Sequence, residues 1–556
     1  MFVRVKTTPN SPRKSVQIVA SIRKGDKVTQ KIIRHVGIAM DEDELEKLKL
    51  LAESIRIKLE ADGQEFLFSP EEIARQSLNF SENKTEPVSD PKPVSVEIGN
   101  LIEEARVISG IHDVYGKLFN ELGYQDTIES SGKSNRFSQL FKDIVLARLA
   151  NPLSKRASVS MLEEDFGVSL NLDCVYQMMD RLDDQAIERL NKISYENTKR
   201  LYNQKINVVF FDCTTLYFEA FEEDELRKLG YSKDLKFNQV QVLLSLFVTE
   251  DGLPIGYEAH SGSTYEGHTL IPILKRLREK YQIGKVVFVA DSGMMNDANL
   301  TALDQEGFEY IVGCRLKNLP KSLQNQILAS ENYKEMSEDY KAAAFTHHNR
   351  TIIVNFSQSR AKKDQHDRDK AIEKLTQKLK KQKNPKDYIS NFGYQKYLKL
   401  DGNSKIELNT DKIEADAKWD GLLGVITNAK DFTYDQILTH YRNLWQVEES
   451  FRITKHDLKV RPIYHWKPER VKAHLAISFT AYSLARYLEY RVKLQYIKLS
   501  PEVIRQTLIR VQKSILFDTK QKIRFALPSK LSDHAKKIYK LCNIPLTLTP
   551  YIIDKL

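Results

Sequence analysis

Two acidic residues stand directly after apolar runs that are typical of buried strands. Asp212 follows VVFF and Asp291 follows VVFVA. Two such strands would bring both carboxylates to one edge of a sheet. An acid after a strand also commonly opens a turn or caps a helix. That alternative stays open for Asp291, which Ser and Gly follow. It suits Asp212 less well, because CTTLYF continues as a strand.

A third acid, Glu448, lies in a segment of helical periodicity. In YRNLWQVEESFRITKHDL (residues 441–458) the apolar residues recur on one helix face, and Glu448 and Lys455 fall on that face. A carboxylate on a buried face is costly unless it is paired, protonated or bound to a cation. An ion pair with Lys455 or Arg452 explains Glu448 as well as metal binding does. Glu449, about 100° further round the helix, is expected to face solvent.

Together the three acids indicate a divalent-metal site. Mg²⁺ prefers oxygen ligands, and two such ions about 3.5–4 Å apart can activate an attacking water or 3′-hydroxyl of a phosphodiester. Phosphates also require cations nearby. The basic candidates on this helix and just after it are Arg442, Arg452, Lys455, Lys459 and Arg461. Aromatic residues are interleaved among them, which suits an unpaired DNA end, although a basic solvated surface is the common alternative.

Composition limits the class of protein. A chain of 556 residues is too long for one core, and its formal net charge of +10 suits a polyanionic partner. The four cysteines form no C-x-x-C pair, which makes a structural zinc site or disulfide framework unexpected. The N-terminus lacks an apolar signal region, and the longest apolar run is too short to span a bilayer. We expect a cytoplasmic, nucleoid-associated protein without membrane contact.

The chain divides by pattern into seven segments. They are an N-terminal β segment plus helix (1–76), a linker (77–96), a helical DNA-binding region (97–203), the first segment of an α/β core (204–317), a β-rich insertion with a charged helix (318–433), the second segment of that core (434–492) and a C-terminal helical region (493–556). Two helices joined at Gly167 fit either a helix-turn-helix or a plain helical hairpin. The hairpin is slightly favoured.

These residues resemble bacterial insertion-sequence transposases of the D-D-E class. The narrower resemblance is to members with the signature Tyr-x₂-Arg-x₃-Glu-x₆-Lys and a β-rich insertion before the final Glu. It covers roughly residues 206–489. The resemblance implies an RNase H-like mixed sheet flanked by helices, in which Asp212, Asp291 and Glu448 are catalytic and hold two Mg²⁺ ions that Mn²⁺ can replace. It implies cleavage at transposon ends and transfer of the 3′-hydroxyl into target DNA, which is cut-and-paste transposition.

Further roles are implied by the signature helix. Tyr441 and Lys455 match signature positions that contact phosphates. Trp445 stands where relatives carry a Trp beside the active site, which suggests a base contact, although a core Trp at helical spacing explains the position equally well. One position departs, because Leu444 stands where the signature has Arg. Leucine cannot bind phosphate, so this contact is either absent or made by another residue, with Arg442 and Arg452 as the candidates. The implied partners are double-stranded DNA, both terminal inverted repeats and target, and a second copy of the chain in a synaptic complex.

Two other functions remain open. One is an RNase H-like nuclease without strand transfer, because fold and metal acids do not separate the two activities. The other is a non-catalytic DNA-binding protein derived from a transposase. Acids at all three positions argue against the second.

Overall fold

A computed structural model provides the coordinates for most of the chain. It describes residues 2–7, 14–24, 27–39, 96–129, 135–202, 206–219, 222–230, 239–264, 269–281, 286–294, 296–337, 340–381, 396–400, 406–495 and 499–553, with positions 45, 49 and 52. The expected linker (77–96) and most of the expected N-terminal helix lie outside the described residues. No helix of the described region is both long and apolar enough to cross a bilayer.

The chain forms two compact units. The first comprises Met1–Asn83 with Arg491–Leu499, and the second Lys84–Tyr490 with Ser500–Leu556. In the first unit, three antiparallel strands pair in the order β1-β2-β3. Their bounds are β1 Phe2–Thr7, β2 Lys14–Lys24 and β3 Lys27–Ala39. Alternate residues of β2 fill its small core, because side chains point to opposite faces along a strand.

A nine-stranded mixed sheet dominates the second unit. Its order is β10-β11-β12-β15-β9-β8-β5-β6-β7. The bounds are β5 Val208–Tyr217, β6 Gln241–Val248, β7 Pro254–Ser261, β8 Val287–Ala290, β9 Glu309–Cys314, β10 Lys334–Ser337, β11 Tyr340–His347, β12 Arg350–Ser357 and β15 Leu422–Thr427. Strands β5, β8 and β9 are mutually parallel, and the other neighbours are antiparallel. The apolar runs before Asp212 and Asp291 are therefore the central strands, which are buried on both faces.

The β-rich segment between residues 318 and 433 belongs to this same sheet. Strand β15 pairs with β9, and β12 pairs with β15. The edge of β9 would otherwise leave its backbone groups unpaired. A small hairpin of β13 (Leu398–Leu400) and β14 (Ile406–Leu408) stands apart from the sheet. The segment interrupts the core along the chain but extends its sheet in space.

Fifteen α-helices of at least eight residues occur among the described residues. They are α1 Gly110–Glu121, α2 Arg136–Ala150, α3 Lys155–Phe166, α4 Leu172–Met179, α5 Asp184–Leu201, α6 Leu270–Tyr281, α7 Asp297–Gln305, α8 Lys321–Leu328, α9 Gln358–Lys381, α10 Thr410–Ala417, α11 Tyr434–Arg442, α12 Trp445–Arg452, α13 Pro468–Leu494, α14 Pro501–Ile509 and α15 Asp533–Leu541. Residues of α6 and α7 share a core with β5, β8 and β9 on one face of the sheet.

Two expectations about the flanking regions are wrong. Residues 97–203 are not helical throughout, because β4 (Leu101–Ile108) precedes the helices. Residues 493–556 contain three strands besides α14 and α15: β16 Gln512–Asp518, β17 Arg524–Pro528 and β18 Tyr551–Ile553. The four strands form one sheet, in the order β18-β17-β16-β4. Strand β4 pairs with β16, which lies about four hundred residues later in the chain, and local periodicity does not reveal such a pairing.

A buried hydrogen-bond network attaches α12 to the sheet. The hydroxyl of Tyr482, on α13, lies 2.7 Å from Ser450 Oγ on α12 and 3.0 Å from the carbonyl oxygen of Gly252. Arg486 also donates to the Gly252 carbonyl, at 3.0 Å. Gly252 lies in the β6–β7 turn with φ of 71°, a backbone conformation that favours glycine. One tyrosine hydroxyl thus joins two helices and a turn.

Tyr482→Phe is expected to destabilise the protein. The change removes one hydrogen bond from the buried Ser450 hydroxyl and one from the Gly252 carbonyl, so the free energy of unfolding should fall by about 0.5–1.5 kcal/mol for each bond. Chemical denaturation measures it. Tyr257→Phe is the matched control, because Tyr257 is also buried but its hydroxyl has no hydrogen-bond partner within the described structure. The control should be neutral or stabilising. Equal losses for the two variants would contradict the role given to Tyr482.

Candidate active site

The parallel pairing of β5 and β8 brings two of the acids together. Val208 pairs with Val287, and the register continues to Phe211 opposite Ala290. Asp212 is the next residue of β5, and Asp291 is the first residue after β8, so this register brings the two acids to neighbouring positions at the sheet edge. Phe211 and Ala290 face the core that contains α6 and α7. Because side chains alternate along a strand, both aspartates belong to the opposite face.

The helices on that opposite face carry the remaining candidates. Helix α11 packs against β8 and β9, and α12 packs against β5 and β6. Glu448 lies in the first turn of α12, where the helix dipole favours an acid. The sheet edge with Asp212 and Asp291 and the helix pair with Glu448 thus belong to one region of the molecule.

The expectation of a continuous helix with Glu448 on its buried face is wrong. Helix α11 ends at Arg442 and α12 begins at Trp445. The break changes which residues of the second helix are buried. Leu444, Val447 and Phe451 are buried, whereas Glu448 is exposed. The Glu448 carboxylate is therefore in contact with solvent, and the cost of burial that the apolar periodicity predicted for it does not arise.

An ion pair forms on this helix, but it uses the neighbouring acid. Arg452 donates to both carboxylate oxygens of Glu449, at 2.7 and 2.5 Å, and lies 3.4 Å from Asp457. The hydrogen bond from Arg452 lowers the pKa of Glu449. Glu448 makes no ion pair within the portion of the chain that the structure describes. The ion-pair explanation that periodicity left open for Glu448 therefore applies to Glu449.

Tyr441 lies among the acids. Its hydroxyl rests on Gly313 of β9, and a Cβ atom at that position would clash with it and lie 3.0 Å from the Ser292 amide nitrogen. Burial raises the pKa of Tyr441 well above its usual value, and hydrogen bonding and charge from Asp291 and the charge of Glu448 add to the rise. The hydroxyl is therefore close to a carboxylate from the sheet and to one from α12.

The acids are of the type that binds a divalent cation. Asp212 and Asp291 are adjacent in register, and Glu448 acts on the same tyrosine hydroxyl as Asp291. Carboxylate oxygens are the ligands that Mg²⁺ prefers. No group of three acidic, histidine or cysteine side chains in the described ranges is close enough together to hold an ion as it stands. The arrangement is two carboxylates side by side with a third nearby.

Two of the other candidates lie beside the acids along the chain. Trp445, at the start of α12, is 52% exposed. Arg442 is exposed, and its guanidinium lies 4.7 Å from the centre of the Tyr340 ring. Further along, Lys459 is exposed with a left-handed backbone (φ 42°).

Lys455 and Arg461 line a separate cavity of about 540 Å³. Lys455 lies within a π-helical turn at Ile453–Asp457, which changes the helical phase at the end of α12. Aromatic residues share the lining: Tyr217, Phe218, Tyr464 and Trp466. The Arg461 guanidinium lies 4.4 Å from the centre of the Tyr217 ring. Tyr464 and Trp466 are each 67% exposed, and the Arg227 guanidinium lies 5.8 Å from the centre of the Trp466 ring.

Sequence reasoning missed a buried cation that supports this region. Arg148, on α2, donates to the carbonyl oxygens of Leu458 at 2.8 Å and Lys459 at 3.1 Å. It thereby fixes the chain that leaves the π-helical turn. An arginine inside the apolar stretch DIVLARLA was the available signal, because a buried guanidinium requires partners.

Gly313→Ala is expected to displace the Tyr441 hydroxyl from Asp291. The pKa of Tyr441 should then fall toward the ordinary value of about 10, since burial and the nearby carboxylates hold it high. Titration of ¹³C-labelled tyrosines by NMR, assigned with Tyr441→Phe, measures this. Gly99→Ala is the control, because nothing lies within 4 Å of a Cβ atom there. An unchanged Tyr441 titration in Gly313→Ala would contradict the placement.

Comparison with known proteins identifies the family of the chain. A family model described as "Transposase DDE domain" matches residues 203–484, just over half of the chain, and spans all three acids. A second model, "IS1634 family transposase, N-terminal domain", matches residues 2–65. No curated protein matches. One similar solved structure is a piggyBac transposase synaptic complex with hairpin DNA, with 9% identity, 72% of this chain and 76% of that chain covered, and a TM-score of 0.37. The first two matches show that the chain belongs to the DDE transposases of bacterial insertion sequences.

Proposed function

We propose that this transposase cuts DNA at the ends of its element and joins the freed 3′-hydroxyl to target DNA, with Asp212, Asp291 and Glu448 as the catalytic acids. The observation that carries the proposal is the register of β5 and β8, which makes Asp212 and Asp291 neighbours. The exposed Glu448, whose charge acts on the same Tyr441 hydroxyl as Asp291, supplies the third carboxylate.

The three carboxylates would hold two Mg²⁺ ions, which Mn²⁺ can replace. Bound divalent ions supply charge stabilisation to the attacking and leaving oxygens of a phosphodiester. The chain itself orients the carboxylates. Asp212 accepts a hydrogen bond from the Cys213 amide at 2.7 Å, and Asp291 lies beside the Tyr441 hydroxyl. Asp291 and Glu448 are both exposed, so each is accessible to DNA.

The strand order supports an RNase H-like core. Strands β5, β6 and β7 form an antiparallel meander, and β8 and β9 add in parallel on the other side of β5. The acids then stand on the first and fourth strands of this segment of the chain, as the transposase resemblance implies. Helices 110–201 would recognise transposon ends, and the C-terminal region would join two copies, since joining two ends requires two active sites.

DNA phosphates would lie along the polar and basic residues of α11, α12 and the segment that follows them. Tyr441 and Arg442 are the last two residues of α11, Lys459 follows the π-helical turn after α12, and Trp445 is exposed for a base contact. The cavity with Lys455 and Arg461 combines cations with exposed aromatic rings, which suits unpaired bases. Arg452 is bound to Glu449 in this structure and would have to exchange that partner to bind phosphate.

Glu448→Gln and Glu449→Gln should separate catalysis from structure. Glu448→Gln removes a metal-facing charge, so cleavage of DNA flanking the gene should fall at least about a hundredfold while DNA binding persists. Glu449→Gln loses only the Arg452 ion pair and should cut at a rate near that of the wild type. Cleavage with Mg²⁺ and binding without metal are measured on the same DNA. Equal activity of the two variants would refute the assignment.

Strand transfer distinguishes a transposase from a simple nuclease. A pre-cut element end with a free 3′-hydroxyl should be joined into a supercoiled plasmid by the wild-type protein with Mg²⁺ or Mn²⁺. Joined products are detected by sequencing across the junctions. Hydrolysis of the end without any junctions would instead indicate an RNase H-like nuclease.

A further inference from the structure

The excess positive charge of the chain is concentrated in its last fifty residues. Residues 510–540 contain nine lysines and arginines but only two aspartates, in a chain whose formal net charge is +10. One of the two acids, Asp518, is fully buried and accepts hydrogen bonds from the backbone amides of Lys520 and Gln521, at 2.8 Å each. Its charge is therefore satisfied within a turn, and the solvent-facing side of the segment is strongly basic.

Five of these cations form one surface. Helix α15 buries its apolar residues, so its three lysines share the opposite, solvent-facing side. The Ser529 hydroxyl donates to the carbonyl oxygen of Arg510 at 3.4 Å, which brings Arg510 beside the link between β17 and α15. Lys530 lies in that link, three residues before α15 begins. The C-terminal basic surface consists of these exposed cations: Arg510, Lys530, Lys536, Lys537 and Lys540.

Most of the C-terminal basic surface has no carboxylate partner. Among its five cations only Lys536 has an acid within 4.0 Å in the described part of the chain, Asp533 at 3.8 Å, and both side chains are exposed. On the adjacent helix α14, by contrast, Arg505 is bound to Glu502 at 2.6 Å. Cations of this unpaired kind bind phosphates favourably, because the counterions of the nucleic acid are released. The surface is thus suited to the backbone of a duplex.

The helical hairpin α3–α4 has the opposite charge. Residues 157–180, all of which the structure describes, contain five acids and no lysine or arginine. All five acids are exposed, and Asp180 alone forms an ion pair within the described chain, with Arg470. A helix-turn-helix depends on phosphate contacts to hold its register on a duplex, and this surface repels phosphates. The hairpin is therefore poorly suited to hold DNA, and the phosphate contacts have to come from other elements.

Helix α2 connects the C-terminal basic surface with the segment after α12. Arg148, in the last turn of α2, donates to the carbonyl oxygen of Leu458 at 2.8 Å. Two residues later, the carbonyl oxygen of Ala150 accepts a hydrogen bond from Arg505 on α14, at 2.6 Å. Helix α14 is about 13 Å long and ends directly before Arg510. The surface thus lies within one turn of a duplex, about 34 Å, of the segment after α12.

We propose that the C-terminal basic surface binds the phosphate backbone of the duplex whose end is cut at the acids. This inference rests on the proposed function and adds a second region of DNA contact, outside α11, α12 and the segment that follows them. Lysine ammonium groups act as point charges, so the surface recognises the backbone and not the base sequence. Contacts at two places along the duplex would keep it from pivoting at the acids.

The test replaces the three lysines of α15 together in the full-length protein. The triple variant Lys536→Gln, Lys537→Gln, Lys540→Gln keeps the helix, because glutamine and lysine have similar helix propensities. A duplex containing the element end should bind at least about tenfold more weakly, and the slope of log Kd against log salt should become shallower by about two to three. Fluorescence anisotropy in metal-free buffer measures both. The corresponding triple arginine variant should bind like the wild type, because it keeps the charge.

A matched control removes three exposed lysines from the insertion. Lys321→Gln, Lys334→Gln, Lys418→Gln changes the net charge by the same amount on a different surface, so its salt dependence should equal that of the wild type. Equal slopes for the two glutamine variants overturn the inference. Weaker self-association of the α15 variant in light scattering, with an unchanged slope, assigns the surface to a protein partner and overturns it as well.

Neutral methylphosphonates placed singly along the duplex identify the contacted phosphates. A substitution opposite the surface should weaken binding by the wild type and have no further effect on the α15 glutamine variant, because both changes remove the same contact. These phosphates should lie within about ten base pairs of those that Lys459→Ala loses. Phosphates further away, or none, overturn the inference. A wild-type protein that cuts nothing overturns the proposed function, whereas failure of this inference alone is seen in metal-free binding.

Discussion

The parallel pairing of β5 with β8 is the interaction on which the candidate site depends. It sets Phe211 opposite Ala290, so that one further step along each strand gives Asp212 and Asp291. A slip of one residue in this register would point one aspartate side chain toward the core that contains Phe211 and Phe288. The buried residues before each acid therefore do more than fill the interior. They fix which face of the sheet carries charge.

The second constraint is the break between α11 and α12. It allows α11 to lay Tyr441 on Gly313 while α12 packs against β5 and β6. Ser450 is bound to Tyr482, which holds α12 at the β6–β7 turn. Glu448 and Glu449 are adjacent in the sequence but lie in different environments. The first faces solvent near Tyr441, and the second is neutralised by Arg452.

The two central strands could be predicted from the sequence, whereas the environment of Glu448 and the long-range strand pairing could not. The apolar runs before Asp212 and Asp291 predict central strands, because burial on both faces leaves a continuous pattern. The exposure of Glu448 could not be predicted, since the break at Leu444 has no proline or glycine to mark it. The pairing of β4 with β16 joins distant regions of the chain, and local periodicity does not reveal such a pairing.

The central claim is that three acids from two strands and one helix act together on DNA. The most direct measurement incubates the full-length protein with Mg²⁺ or Mn²⁺ and the DNA that flanks its own gene, and maps every cut at nucleotide resolution. We expect cuts at two discrete positions that bracket the gene, with 3′-hydroxyl ends, and we expect none of these cuts from Asp212→Asn, Asp291→Asn or Glu448→Gln. Random nicks, or discrete cuts that persist when Asp291 is replaced, would contradict it.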